Sequence, residues 1–236
     1  LLEIFTNSWN FSGQLEIKLT TLRKKLTRMH VPLRKSICIA ASAAIAFLAI
    51  DTTYGQAAKV TSDPPSFDNL PSPEFAGVKN KSFKPLNWLE IEAKLNITLS
   101  PMPRSKTCEK MSIKWYIAVK NPEKSKGFLL LTKTIDHVNL PLGEDVYCSI
   151  FLSPASLRRI SGTDNAGKNA VELVGYEVLI NGEKVAEGTN KSKPGWWNTA
   201  SEGISRSETV PLLSKSETPF RDMWWDRYPE ISVERR

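Results

Sequence analysis

The sequence predicts an all-β fold: an antiparallel β-sandwich of about seven strands with one short helix. Three observations predict it. Apolar and polar residues alternate over long runs, as in Leu89, Ile91, Ala93, Leu95, Ile97 and Leu99 against Glu90, Glu92, Lys94, Asn96 and Thr98. Turn signals break these runs, above all Asn181-Gly182, a pair suited to a type I′ hairpin. The strand–helix–strand rhythm of a parallel sheet is missing.

Each element has its own justification. The first strand runs from Leu89 to Leu99 by the alternation above. In the second, Met111, Ile113, Trp115, Ile117 and Val119 face one way and Lys114 and Lys120 the other. A turn with Pro122 follows. Phe128 to Val138 reads as a third strand whose alternation slips at Leu129, Leu130 and Leu131, the sign of a bulge or of burial on both faces. Val146, Cys148, Ile150 and Leu152 form one face of a fourth strand. Ser153-Pro154 opens a short helix, with Ser as N-cap, Leu157 and Ile160 inward, and Gly162 at its end. A fifth strand spans 171–180, and a short sixth covers Lys184 to Glu187 beyond the hairpin. A weak edge strand near Thr209 to Leu213 contains Pro211. Trp115 follows Cys108 too closely for antibody-type Cys–Trp–Cys spacing, so the architecture is immunoglobulin-like without that kinship. An OB-like barrel is the main alternative.

Ahead of this domain the character of the chain differs. Arg34 and Lys35 precede an apolar run, Ser36 to Ile50, and Gly55-Gln56-Ala57 follows, with small residues at the two positions a signal peptidase inspects. That order predicts a signal peptide over 29–57, cut after Ala57, and export to the periplasm, the outer-membrane surface or the exterior, with no transmembrane anchor after cleavage. The run is shorter than the roughly 20 residues a spanning helix needs. Residues 1–28 are expected to be an untranslated or dispensable extension. Residues 58–86 hold Pro64, Pro65, Pro71, Pro73 and Pro85 and are expected to form a disordered, extended tether. The β domain then spans 87–231, with a tail at 232–236.

Removing 1–57 lowers the net charge from +7 to +3, because the leader is basic. Nothing in that balance calls for nucleic acid. Cys108 and Cys148 remain, an even number in an oxidising compartment, and a disulfide between them is expected. The alternative is two buried free thiols.

Catalytic material is sparse. His137 is the only histidine after the leader, which leaves no residues for a His-based triad or a multi-histidine metal site. Gly162 to Asn169 comes close to a phosphate-binding loop, but it follows a helix and precedes a strand, the reverse of the required order. Asp164 and Asn165 lack the wider set of oxygen ligands that calcium needs. Glu90 and Glu92 share a strand face with Lys94 and are expected to be a solvated row. No cofactor or metal is expected. The best binding candidates are the aromatic pairs: Trp196-Trp197 beyond a Pro-Gly turn, and Trp224-Trp225 with Arg221, Arg227 and Tyr228. They serve either as plugs over the sandwich, as partner contacts or as platforms for sugar rings.

Several segments together carry a family resemblance: Trp88-Leu-Glu-Ile-Glu92, the Asn181-Gly182 hairpin, Thr218-Pro219-Phe220 and Trp225-Asp226-Arg227-Tyr228. Residues 87–231 resemble the Amuc-type pilus-like proteins of verrucomicrobial bacteria. The resemblance implies an exported, immunoglobulin-like protein linked to the cell surface, with no catalytic residues. Type-four prepilins keep an apolar N-terminal helix, whereas here the apolar run lies in the expected leader, so an accessory pilus-like protein is expected rather than a self-polymerising shaft. The expected function is non-catalytic: binding to envelope or pilus proteins, or self-association. The second expectation is a carbohydrate-binding or adhesive module for host glycans.

Overall fold

The computed structural model describes residues 57–74, 84–123, 127–163, 166–199 and 204–232. The expected extension, nearly all of the expected leader, Phe75, Phe83, Asp164 and Asn165, and the tail beyond Ser232 lie outside the described residues.

Two sheets pack as a sandwich. The first contains β1 (Ala57–Ser62), β2 (Ser66–Pro71), β3 (Asn87–Ser100), β6 (Asp145–Leu152) and β10 (Leu213–Ser214). Its order is β1-β3-β6-β10, and β2 also pairs with β3. The second contains β4 (Thr107–Lys120), β5 (Phe128–Pro141), β7 (Val171–Ile180), β8 (Glu183–Thr189), β9 (Ile204–Arg206) and β11 (Glu230–Ile231). Its order is β11-β5-β4-β7-β8, with β9 also on β5. All pairings are antiparallel except β5 with β9. The single α-helix among the described residues, α1 (Pro154–Ser161), links the sheets.

Strand alternation fills the core as the sequence predicts. Leu89, Ile91, Ala93, Leu95 and Ile97 of β3 meet Ile113, Trp115 and Ile117 of β4 and Val174, Tyr176 and Val178 of β7 in one buried cluster. The Trp115 and Tyr176 rings lie 5.4 Å apart at its centre. The slip in β5 is burial on both faces: Leu131 enters the main core, and Leu130 joins a small cluster with Tyr116 and Trp197 on the other face. Asn181 and Gly182 take φ of 53° and 83°, as a type I′ hairpin requires. Helix α1 is capped as expected: Ser153 Oγ accepts from the Ser156 N–H at 3.1 Å, and Gly162 closes it at φ 74°.

Two expectations are corrected. The segment 58–86 is not simply a tether, because β1 and β2 both pair along β3, with Val60 opposite Ile97 and Asp68 opposite Glu90. Its prolines do not oppose this. Pro64 and Pro65 fall between the strands, Pro71 ends β2, and both strands lie on the outer side of β3. Phe67 and Val60 pack against the core.

The expected Cys108–Cys148 disulfide is absent, and both cysteines are free and buried. Cys108 lies opposite Leu140 on one sheet, and Cys148 lies opposite Ala93 on the other. Face-packed sheets stand about 10 Å apart, so only matched facing positions bring Cα atoms within the roughly 7 Å that a bridge tolerates. The Cys108 thiol donates instead to the Lys110 carbonyl at 3.4 Å. Burial pushes both thiols above their ordinary pKa.

Two outcomes follow. Ile91→Ala, at a fully buried site, is expected to cost about 2–5 kcal/mol in urea unfolding. Alkylation of the denatured, unreduced protein is expected to label Cys108 and Cys148 alike, and a reductant is expected to leave the melting midpoint unchanged. Peptide masses showing neither residue labelled would contradict the free thiols.

Candidate functional site

The C-terminal segment builds the site. From β10 the chain makes a short 3-10 turn, Lys215–Glu217, closed by a capping box between Ser214 and Glu217. Thr218 Oγ1 donates to the Lys215 carbonyl at 2.8 Å. Phe220 then seats on the outer face of the first sheet, stacked on Phe151 at 5.7 Å, with Trp88 edge-on at 5.9 Å. The strap runs on through Arg227 and Tyr228 and ends as β11 on the edge of the second sheet, with Ile231 opposite His137. One segment therefore ties the two sheets together.

Glu90 and Glu92 lie beneath this strap. They were expected to be a solvated row, yet they are only 4% and 8% exposed. Their spacing of two residues puts both on the outward face of β3, and the strap covers that face. Arg227 donates to Glu92 Oε1 at 2.7 Å from Nη2, and more weakly to Oε2 from Nε. Its guanidinium also lies 3.8 Å from the centre of the Tyr147 ring. The Tyr228 hydroxyl stands 2.9 Å from Glu90 Oε1 and 2.9 Å from Glu92 Oε2.

Electrostatics follow from burial. Glu90 is raised above its ordinary value, first by desolvation and further by Glu92 and Asp68, against the Tyr228 hydroxyl. Burial and the two carboxylates push the Tyr228 hydroxyl up, so it stays protonated. Desolvation lowers the Lys215 ammonium, which is spent on the carbonyls of Arg221 and Met223. Burial holds His137 at about 4, and it is therefore neutral at physiological pH.

Two concavities flank the strap. One, of about 430 Å³, is lined by His137, Ser149, Arg221, Asp222, Trp225 and Tyr228. The other, of about 350 Å³, is bordered by Pro71, Pro73, Pro85, Phe220, Met223 and Trp224. Trp225 is 70% exposed and Trp224 45%. Trp224 also holds φ at 51°, an uncommon conformation for a bulky side chain.

The expected candidates thus divide. Arg221, Trp224, Trp225, Arg227 and Tyr228 come together on the strap. Trp196 and Trp197 do not join them. They cover the outer face of the second sheet, where Trp197 stacks on Tyr116 at 4.7 Å and donates to Glu177 Oε1 at 3.3 Å. Gly175 makes room for them, since a Cβ there would meet the Trp197 ring at 2.2 Å. These two are plugs. Cys108 and Cys148 lie in the core, away from any surface. Sequence reasoning missed Glu90, Glu92, Tyr147 and Lys215 as partners of the tail. One signal was present: a tail Arg-Tyr pair that needs carboxylate acceptors, and a carboxylate pair on one strand face.

A protein-family model matches residues 51–235. A crystal structure of a protein from Akkermansia muciniphila is similar to this chain with 34% sequence identity and a TM-score of 0.73, covering 77% of this chain and 96% of that one. No curated protein matches.

The clasp that Arg227 and Tyr228 form on Glu92 and Glu90, and His137, give separable outcomes. Arg227→Ala removes the cation from the buried Glu92 and leaves it the Tyr228 hydroxyl as donor, and is expected to cost about 1–3 kcal/mol in chemical denaturation. Arg227→Lys is expected to recover only part of this, because the bidentate fork and the stacking on Tyr147 are lost. For His137, whose pKa falls from 6.5 to about 4 on folding, the unfolded chain binds more protons between those values. Its contribution is full above pH 6.5 and lost as pH falls toward 4, by about 3 kcal/mol at the limit. His137→Leu is expected to remove that part of the acid limb in melting curves taken across this range.

Proposed function

This chain belongs to the Amuc-type pilus-like family of verrucomicrobial bacteria, and on that basis we propose that it is an exported surface protein that works by binding other envelope or pilus components, or further copies of itself, rather than by catalysis. The observation that carries this reading is the strap. It presents two adjacent exposed tryptophans, Trp224 and Trp225, from a segment held by the buried Phe220 and by the bonds of Arg227 and Tyr228 to Glu92 and Glu90. Aromatic side chains held out from a rigid base are what binding hot spots require, because little ordering entropy is lost on docking. Arg221 and Asp222 give this surface a polar rim.

Export and release follow from the leader-like sequence ahead of the domain. If the leader is cut after Ala57, the mature chain starts within β1, at the residue opposite Leu99. No helix among the described residues is long and apolar enough to cross a membrane.

The carbohydrate reading has narrower support. A broad sugar platform would gather the four tryptophans around one groove. Instead Trp196 and Trp197 cover the other sheet, and Trp224 and Trp225 border different concavities. Only Trp225 is freely placed to stack on a ring.

Affinity capture from cell envelopes, run beside a glycan array, tests the proposal. The unaltered protein is expected to retain envelope or pilus proteins, or itself. Trp225→Ala is expected to weaken that retention at least about thirtyfold, the size of a hot-spot residue. Its melting midpoint is expected to hold, because the ring is exposed. A glycan signal abolished by the same substitution, with no retained protein, would overturn the proposal.

A further inference from the structure

The Tyr228 hydroxyl makes two contacts that its one proton cannot serve. It lies 2.9 Å from a carboxyl oxygen of Glu90 and 2.9 Å from one of Glu92. A phenol donates once, and an ionised carboxylate only accepts. Both contacts are hydrogen bonds only if one carboxyl group carries a proton and donates it to the phenol oxygen. Glu92 faces the Arg227 guanidinium at 2.7 Å, so it is the ionised member. Glu90 is the more buried, and it has Glu92 beside it on β3 and Asp68 opposite it on β2.

We propose that Glu90 keeps a proton that it donates to Tyr228, and that loss of this proton to solvent releases the strap from the outer face of the first sheet. Without the proton, Tyr228 can donate to only one of two charged carboxylates. Glu92 keeps Arg227, so Glu90 becomes a second buried anion with at most the phenol as donor, next to a like charge. Lifting the strap returns both to water. Trp224 and Trp225 ride on the strap, so its release would dismantle the surface they form.

The groups facing Glu90 set the balance. Asp68 and Glu92 favour the proton. Donation by Tyr228 to an ionised Glu90 would favour the charge, as does Lys215 above the Tyr228 ring, and Ser149 lies nearby on β6. Arg227 and Tyr147 hold Glu92 in place. The clasped state raises Glu90 above its ordinary 4.5, and a lifted strap would return it to water and to that ordinary value. The clasp is therefore full below pH 4.5 and weakens as pH rises through the raised value. His137, beneath β11, acts in the opposite sense, weakening the clasp as pH falls from 6.5 toward about 4. A variant that alters Glu90 alone separates the two.

Hydrogen exchange of the amides from Thr218 to Ile231, corrected for intrinsic rates and followed across pH 4.5 to 9, tests this on the full chain. The ratio of the strap opening constant in the unaltered protein to that in Glu90→Gln, in which the His137 contribution cancels, is expected to rise about tenfold per pH unit between 4.5 and the Glu90 midpoint, then level off. Glu90→Gln, whose amide donates to the phenol oxygen at every pH, is expected to keep only the His137 trend. Tyr228→Phe is expected to loosen the strap at every pH. Parallel profiles for Glu90→Gln and the unaltered protein would overturn the proposal. Carboxyl-carbon NMR of the unaltered chain decides independently of how the variants fold. A Glu90 midpoint well above 4.5 is expected, and one at 4.5 would overturn the proposal.

Discussion

Strand β3 is buried on both faces, and the rest of the molecule is arranged around that constraint. Its inward residues, from Leu89 to Ile97, supply one wall of the core. Its outward residues Glu90 and Glu92 are carboxylates that have lost water. A buried apolar face needs only another apolar face. A buried carboxylate pair needs a cation and hydrogen-bond donors in fixed places. The chain meets that need with residues about 135 positions further on, Arg227 and Tyr228. The C-terminal strap is therefore part of the domain, and its seat on Phe151 and its strand β11 hold those donors in register.

The outer face of the second sheet solves the same problem in a simpler way. Glu177 projects from β7 and accepts from Tyr116 at 2.7 Å and from Trp197 at 3.3 Å. Trp197 stacks on Tyr116, and Lys184 stands 3.6 Å from the carboxylate. Each sheet is thus covered by an aromatic segment from a later part of the chain that also satisfies a glutamate. The difference lies in the burial. Glu177 and Glu187, opposite it on β8, share Lys184 near the surface, whereas Glu90 and Glu92 are both closed off, and two like charges under one strap leave a proton to be accommodated. The two aromatic pairs divide along the same line: Trp196-Trp197 are spent on covering a sheet, and Trp224-Trp225 remain outside.

For a pilus-like surface protein, this arrangement separates stability from contact. The core, Phe220 and the carboxylates beneath the strap are closed to solvent, so the exposed tryptophans can be displayed without weakening the fold. Trp224 keeps a left-handed backbone that bulky residues rarely adopt, and such strain persists where surrounding contacts over-determine it. Those contacts are its stacking on Phe220 and the Lys215 ammonium gripping the nearby carbonyls.

Much of the fold was legible because local rules dictate it. The period-two pattern of β3 and β4, the capped helix after Ser153 and the Asn181-Gly182 hairpin each depend on residues close together in the chain. Alternation also assigned the inward face correctly. It could not say whether the outward face meets water or more protein, so Glu90 and Glu92 looked solvated. The proline-rich segment misled for a related reason. Proline forbids a central strand, but it does not forbid two short strands laid along an outer edge. The cysteine pair misled because an even count carries no distance. By itself the sequence determined the sandwich, its helix and the grouping of Arg221, Trp224, Trp225, Arg227 and Tyr228, all set by nearest neighbours along the chain. Only the tertiary structure decided what lies beneath those residues, because a contact across more than a hundred positions leaves no periodic trace in the chain.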